Sequence, residues 1–148
     1  MEVENFMEQL KKIIRDIPDF PKPGIIFKDI TPLLASPKHY RKMIQWFIDS
    51  VEDLPYIDKV LGAEARGFII AAPVAYKLKA GFIPARKPKK LPYKTISQSF
   101  ALEYGTDSFE IHTDAILKDE KVLIVDDVLA TGGTAEALRR IARQSLAH

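Results

Sequence analysis

Apolar residues recur at the spacing of an α-helix in two stretches of the first third of the chain. One stretch runs from Phe6 to the residue before Pro18. The other follows Ser36 and Pro37, which are typical of an N-cap and a first helical position. The segment 17–24 between them contains three prolines and a glycine, a composition that disfavours a helix. We therefore predict two helices separated by an ordered turn or an extended segment.

From residue 59 onward, short apolar runs alternate with helical patterns. Predicted strands occupy residues 59–61, 81–85, 97–104, 109–112 and 121–125, and predicted helices occupy 68–78 and the stretch from about Thr134. Strands that alternate with helices in this way are typical of an α/β fold with a mostly parallel central sheet flanked by helices. The proline-bearing basic stretch after residue 85 is predicted to be a loop.

The composition limits the expected number of domains, the partners and the cellular location. The chain has 148 residues, of which 47% are hydrophobic and 28% charged, and we expect one soluble domain over residues 1–148. A formal net charge of +2 gives no basis for a nucleic-acid or membrane partner. The absence of cysteine excludes disulfide and thiol chemistry. Neither a secretory signal nor a membrane-spanning apolar run is present, so we expect a cytoplasmic protein.

Segment 122–134 combines three features that suit a ribose 5-phosphate. Four apolar residues predict a buried strand that ends at Asp126 and Asp127, at the edge where open α/β sheets hold their ligands. The small and hydroxyl-bearing residues 130–134 then open a helix, whose N-terminus favours a phosphate. The two carboxylates can accept hydrogen bonds from vicinal hydroxyls. A strand and a helix with two capping aspartates is the purely structural alternative, and the unbroken run of all three features disfavours it.

Two further segments suit a second anionic group. Residues 62–67 follow a predicted strand and open a helix, which is again an anion-binding geometry, and Arg66 there could reach a phosphate or pack outward. Residues 86–90 contain four cations, Arg86, Lys87, Lys89 and Lys90. Such a run is usually a solvated loop. Beside a pyrophosphate it could instead stabilise the charge of a leaving group.

Segment 122–134 resembles the phosphoribosyl pyrophosphate signature of the type I phosphoribosyltransferases. Four other stretches, 17–34, 62–67, 86–92 and 102–105, resemble motifs of one branch of that family, the adenine phosphoribosyltransferases, and follow the family's order. The resemblance implies the type I fold. It also implies an N-terminal hood segment over residues 1–34 that carries base contacts, and a mobile basic loop over 86–104 that closes over the substrate.

The same resemblance implies purine salvage, in which adenine and phosphoribosyl pyrophosphate give AMP and pyrophosphate. It assigns catalysis to Glu103, which would take the proton from the base, and to Tyr104. The ribose 5-phosphate would be bound by Asp126, Asp127, Ala130, Thr131, Gly132, Gly133 and Thr134. The pyrophosphate would be bound by Glu64, Ala65, Arg66, Arg86, Lys87 and Lys90, with a cis peptide between Glu64 and Ala65. Adenine would contact Ile26, Phe27, Arg66 and Leu129. Residue type alone favours a buried Phe27 and a solvated Glu103.

The family also implies Mg²⁺ as cofactor, because phosphoribosyl pyrophosphate is normally bound as its magnesium complex. The ion would be held mainly by substrate oxygens and waters, so no direct protein ligand is expected, and His39 and His112 show no metal-ligand spacing. A homodimer is implied as well. The expected partners are the small molecules adenine, phosphoribosyl pyrophosphate, AMP and pyrophosphate, with no nucleic acid and no membrane.

The carboxyl end departs from the family's pattern. Family members usually continue with a further strand after the last helix, and no such strand pattern follows Arg143 here. We therefore expect the C-terminal strand to be missing, which would leave an unpaired sheet edge. Three alternative functions remain open at this level: a phosphoribosyltransferase for xanthine or another purine, a phosphoribosyl pyrophosphate-sensing regulator without catalysis, and an inactive fragment.

Overall fold

The computed structural model describes residues 2–102, 105–128 and 132–146, with side chains from Asn5 onward. The chain divides into two compact units, Met1–Asp49 and Ser50–His148. The single domain expected over residues 1–148 stays a prediction. No helix among the described residues combines the length and the apolar character that a membrane span requires.

The first unit contains three helices and an antiparallel hairpin. Its elements are α1 Glu2–Ile13, β1 Arg15–Pro18, β2 Ile26–Asp29, α2 Thr31–Ala35 and α3 Pro37–Asp49. Both predicted helices are present. The first ends at Ile13 rather than just before Pro18, because residues 15–18 pair with β2 and Ile17 lies opposite Phe27.

The turn of this hairpin explains the prolines and the glycine of segment 17–24. Asp19 and Gly24 have positive φ angles of 55° and 86°, and Asp19 Oδ1 accepts the Gly24 N–H at 2.9 Å. The Phe20 N–H also donates to the Ile25 carbonyl at 3.1 Å. The segment predicted as an ordered turn or extended stretch therefore connects two strands.

The second unit is built on a parallel sheet. Its elements are β3 Lys59–Ala63, α4 Arg66–Leu78, β4 Gly81–Ala85, β5 Thr95–Ala101, β6 Thr106–His112, β7 Val122–Ile124 and α5 Gly133–Leu146. The strand order is β4-β3-β7, and both pairings are parallel. Lys59 is in register with Gly81 on one side and with Val122 on the other. The predicted α/β fold with a parallel sheet and flanking helices is confirmed.

Strands β5 and β6 form a separate antiparallel ribbon. The sequence pattern predicted both strands but placed no antiparallel pair beside the parallel sheet. The chain reverses close to Gly105, whose φ of 88° suits glycine, and the Leu102 N–H donates to the Gly105 carbonyl at 3.0 Å. A single bridge between Arg86 and Glu110 connects the ribbon to the chain that leaves β4.

The core of the second unit lies between the strands and α5. Leu61, Ile111, Leu138 and Ile141 are fully buried and belong to one apolar cluster. Burial of each such side chain contributes roughly 1.5–3 kcal/mol. This cluster fixes α5 against the sheet, so the first residues of α5 are held near the carboxyl ends of β3 and β7.

Candidate functional site

Two neighbouring parallel strands end at the same edge of the sheet. The carboxyl end of β3 leads into Glu64 and Arg66, and the carboxyl end of β7 leads into Asp126 and Asp127. A cavity of about 310 Å³ opens between these strand ends, and all four side chains belong to residues that line it. Loops at the carboxyl ends of parallel strands are the usual position of ligands in such sheets. The topology therefore places both predicted anion-binding segments at one cavity.

The loop after β3 approaches the acidic pair closely. The peptide between Glu64 and Ala65 is cis, as the family resemblance predicted. A Cβ atom at Gly67 would lie 3.2 Å from Asp126 Oδ1, which is tighter than nine in ten real Cβ contacts. Glycine at position 67 therefore allows α4 to begin directly beside the carboxylate.

Arg66 connects the two loops by an ion pair. Its Nε lies 2.9 Å from Asp127 Oδ2, and the Asp127 side chain is only 7% exposed while that of Arg66 is 41% exposed. A buried carboxylate needs a partner charge to offset its lost hydration. The pair therefore fixes the guanidinium at the cavity wall and leaves part of it accessible from the cavity.

The carboxyl of Asp126 has a raised pKa. The pKa of its carboxyl is raised to about 6, mainly by burial and also by the side-chain hydrogen bond with Asp127 and the negative charge of Asp127, while the Asp127 backbone N–H and the charge of Arg66 oppose the rise. The Asp127 N–H donates to Asp126 Oδ1 at 2.9 Å. The fold therefore favours the protonated form of the Asp126 carboxyl relative to a solvated aspartate.

Lys87 of the basic loop is held in the cavity wall from several sides. Its backbone N–H donates to Glu64 Oε1 at 2.6 Å, and its Nζ forms an ion pair with Asp107. The same Nζ lies 4.8 Å from the centre of the Phe109 ring, a favourable cation–π distance. The hydrogen bond from Lys87 holds the pKa of the Asp107 carboxyl below its usual value. Arg86 Nε lies 3.4 Å from Glu64 Oε1.

The start of α5 forms another wall of the cavity. Gly132, Gly133 and Thr134 line it, and Gly132 has a φ of 85°. Helix α5 begins at Gly133 and its first turn includes the bond from the Glu136 N–H to the Gly132 carbonyl at 2.9 Å. Helix N-termini attract phosphates through free N–H groups and the helix dipole. This wall therefore suits a phosphate.

Several predicted site residues are not supported by the described cavity lining. Glu103, Tyr104, Leu129, Ala130 and Thr131 lie outside the described residues. Arg86 and Lys90 are described but are not among the residues that line the cavity. Their assigned roles stay predictions.

Ile26 and Phe27 belong to the first unit, on strand β2. Ile26 is 60% exposed. The Phe27 ring packs edge-on against Phe20 with ring centres 5.2 Å apart. An exposed apolar strand residue beside a partly buried ring is a surface that a flat aromatic ligand can cover. Their role as adenine contacts stays a prediction.

Comparison with known proteins supports the assignment made from these motifs. Residues 28–147 match the model of the phosphoribosyl transferase domain. An adenine phosphoribosyltransferase of Geobacter metallireducens is 60% identical over 137 residues, which cover 93% of this chain and 80% of that protein. The chain belongs to the adenine phosphoribosyltransferase family. The recognition, the type I fold and the enzyme class predicted from the sequence are thereby confirmed.

Solved structures of adenine phosphoribosyltransferases have the same fold. The enzyme of Thermoanaerobacter pseudethanolicus matches with a TM-score of 0.91 and 49% identity, covering 95% of this chain and 81% of that one. The enzyme of Saccharomyces cerevisiae, crystallised with an imino-altritol bisphosphate and adenine, matches with a TM-score of 0.92 and 36% identity, covering 97% of this chain and 83% of that one. These similarities favour adenine over the other purines and over a non-catalytic sensor.

Four residues that lie at or beside the cavity were not singled out from the sequence. Phe100, Asp107 and Phe109 line the cavity, and Glu110 contacts the basic loop. All four belong to the antiparallel ribbon of β5 and β6. The residues next to a strand residue in sequence do not indicate which side chains it contacts in the fold. The sequence predicted strands over 97–104 and 109–112, but it did not indicate that they lie beside Lys87.

Proposed function

We propose that this adenine phosphoribosyltransferase family member transfers the phosphoribosyl group from phosphoribosyl pyrophosphate to adenine, giving AMP and pyrophosphate. The observation that carries the proposal is one cavity with three chemically different walls. Cationic Arg66 and Lys87 form the first wall, the carboxylates of Asp126 and Asp127 form the second, and the N-terminus of α5 forms the third. A pyrophosphate, a ribose diol and a 5-phosphate need these three kinds of partner.

The proposed roles follow from the chemistry of each wall. Asp126 and Asp127 accept hydrogen bonds from the ribose hydroxyls, and their negative charge stabilises the cationic sugar that develops as the bond from the anomeric carbon to the pyrophosphate oxygen breaks and the bond to the adenine nitrogen forms. Gly132, Gly133 and Thr134, with Ala130 and Thr131, hold the 5-phosphate. Arg66, Arg86, Lys87 and Lys90 offset the charge that accumulates on the departing pyrophosphate, beside the backbone of Glu64 and Ala65.

The base would be held by a second set of residues. We propose that Phe27 stacks on adenine, with Ile26, Arg66 and Leu129 as further contacts. Glu103 takes the proton that adenine loses, and Tyr104 lies beside the reacting centre. The adenine present in the Saccharomyces cerevisiae structure supports this choice of base.

Mg²⁺ is the proposed cofactor. The described residues contain no group of three or more His, Cys, Asp or Glu side chains placed to hold a metal ion. The hard carboxylate oxygens at the cavity suit Mg²⁺, which keeps several waters and binds largely through substrate phosphates. The ion would neutralise charge on the pyrophosphate. We further propose a cytoplasmic homodimer, as the family resemblance implies, and sedimentation velocity tests the dimer.

Two measurements test the function. Adenine and phosphoribosyl pyrophosphate with Mg²⁺ should give AMP and pyrophosphate, and hypoxanthine, guanine and xanthine should react far more slowly. Ligand at a hundredfold its dissociation constant should stabilise the fold by roughly 2.7 kcal/mol, so AMP should shift the melting temperature more than XMP or GMP. Turnover of xanthine in preference to adenine, or binding without turnover of any purine, would contradict the proposal.

The role of Glu103 has its own test. Glu103→Gln should lower kcat strongly and change AMP affinity little, because the amide keeps the shape but accepts no proton. Equal losses in turnover and in AMP binding would contradict an acid–base role.

A further inference from the structure

Glu110 contacts both ends and the middle of segment 86–95, the part of the basic loop that runs from the end of β4 to the start of β5. The backbone of Glu110 exchanges two hydrogen bonds with Arg86, at 3.0 and 2.7 Å. Its carboxylate accepts the Lys89 N–H at 2.7 Å through Oε1 and the Thr95 hydroxyl at 2.6 Å through Oε2. One residue of β6 therefore holds the first, fourth and last positions of the segment 86–95.

The contacts made by the Glu110 carboxylate are additional to the pairing between β5 and β6. In the β5–β6 register Glu110 lies opposite Ser97, and the pairing ends at Thr95, so the carboxylate reaches along the ribbon to a loop that lies beyond it. Lys89 has a φ of 65°, a conformation that lysine rarely adopts without support. A carboxylate can accept the N–H of such a turn and a hydroxyl at the same time, and few other side chains can.

The held turn contains the residue that enters the cavity. Lys87 lies between Arg86 and Lys89, both fixed by Glu110, and its backbone N–H is already bonded to Glu64. With its backbone fixed on both sides, the Lys87 side chain reaches Asp107 and the face of Phe109. Glu110 itself does not line the cavity among the described residues, so it would act through the loop.

We propose that Glu110 is a positioning residue for the transfer reaction, holding the basic loop in the conformation that presents Lys87 to the pyrophosphate. The proposal rests on the proposed function in one respect, that Lys87 binds the leaving group. If the Glu110 contacts are removed, the free energy required to order the loop when phosphoribosyl pyrophosphate binds increases. None of the proposed adenine contacts lies in segment 86–95, so the KM for adenine should change little.

The experiment compares three substitutions. Glu110→Ala removes both carboxylate contacts. Glu110→Gln keeps one acceptor for Lys89 and one donor for Thr95, so it should restore the loop. Glu120→Ala is the matched control, since Glu120 also accepts a backbone N–H, that of Leu117 at 2.8 Å, and pairs with Lys59 at 3.5 Å, away from the cavity.

The expected results are as follows. Glu110→Ala raises the KM for phosphoribosyl pyrophosphate by about tenfold, the worth of one to two hydrogen bonds, and leaves the KM for adenine within about twofold. It also speeds tryptic cleavage after Lys89 or Lys90 in the ligand-free protein. Glu110→Gln stays close to wild type in both assays. Glu120→Ala changes neither, although it lowers the melting temperature.

Three outcomes would overturn the proposal: an unchanged KM for phosphoribosyl pyrophosphate in Glu110→Ala, an equal rise in both KM values, or the same kinetic change in Glu120→Ala. Failure of the proposed function is distinguishable, because wild-type protein would then form no AMP while the proteolysis comparison could still be made. Faster cleavage without a change in the KM for phosphoribosyl pyrophosphate would show a loop support that does not serve the reaction, and would also count against the proposal.

Discussion

The loops that follow β3 and β7 share one topology and differ in charge, since only the β3 loop places a cation beside its carboxylate. Each leaves a parallel strand at the same edge of the sheet and leads to a helix, α4 from Arg66 and α5 from Gly133. The β3 loop presents a cation and a glycine that lies against its neighbour. The β7 loop presents two carboxylates. The ion pair between Arg66 and Asp127 joins them.

Under the proposed function, this difference would let one kind of strand-to-helix turn bind two parts of one substrate. A helix N-terminus favours an anion in both loops, and the neighbouring side chains would select the anion. Arg66 would suit a highly charged pyrophosphate at the β3 loop. Asp126 and Asp127 would suit neutral hydroxyls beside a single phosphate at the β7 loop. The following predictions test that division.

Arg66→Gln should have the largest effect. It removes the cavity cation of the β3 loop and leaves the Asp127 side chain, 7% exposed, buried without this partner. We expect kcat/KM for phosphoribosyl pyrophosphate to fall about a hundredfold, or ~2.7 kcal/mol, which steady-state kinetics measures.

The control for Arg66 is Arg139→Gln. Arg139 also forms an ion pair, with Glu136 at 2.5 Å, but its side chain is 44% exposed and it lies on α5 away from the cavity lining. Exposed pairs of this kind contribute little, so Arg139→Gln should stay within about twofold of wild type. A similar loss in both variants would mean that total charge, rather than the position of Arg66, determines binding.

Gly62→Ala should have the next largest effect, on stability. A Cβ at Gly62 would lie 2.6 Å from the Cβ of Ala71 on α4, so β3 and α4 would have to separate. Overpacking of this kind costs about 2 kcal/mol, measured by urea unfolding. Gly81→Ala is the control, because its Cβ would meet the flexible Lys59 side chain at 2.8 Å, which can move aside. Equal costs would show that the contact between β3 and α4 is not tightly packed.

The same two loops show how far sequence reasoning extends. Both were predictable, since an apolar strand followed by small residues and a charge is a local pattern, and the cis peptide followed from the family resemblance. The ion pair between Arg66 and Asp127 was not, because it joins residues some sixty positions apart. The same reason hid Asp107 and Glu110, because their partners Lys87 and Lys89 lie in the basic loop about twenty positions earlier in the chain. Local chemistry can be predicted from adjacent residues, whereas contacts between segments require the strand register.

Asp126→Asn tests the acidic loop and should have a smaller effect. Folding raises the pKa of Asp126 from 3.8 to about 6, so the fold favours the protonated carboxyl. The stability from this group is complete below pH 3.8 and is lost as the pH rises through about 6. The neutral variant should therefore gain about 1 kcal/mol over wild type at pH 8, a value reduced for partial exposure, and nothing at pH 4.

Urea unfolding of both proteins from pH 4 to pH 8 measures that difference. A gain that does not depend on pH would contradict the assigned ionisation. The activity should follow the opposite course: kcat/KM for phosphoribosyl pyrophosphate rises through about pH 6 in the wild type as Asp126 ionises, and this rise is absent in Asp126→Asn.

Glu136→Gln should have the smallest effect, although Glu136 lies in the first turn of α5 beside the proposed phosphate wall. Hydrogen bonds from Arg139 and Arg140 lower its pKa from 4.5 to about 2. Any stability from this group is therefore present above pH 4.5 and is lost as the pH falls towards 2. The pairs are exposed, so the melting temperature at pH 7 should change little. The KM for phosphoribosyl pyrophosphate should also stay within about twofold, because the two arginines already neutralise the carboxylate. A marked fall in that KM would show that Glu136 repels the phosphate, and the β7 loop would then be limited by charge on its helix as well as by its two aspartates.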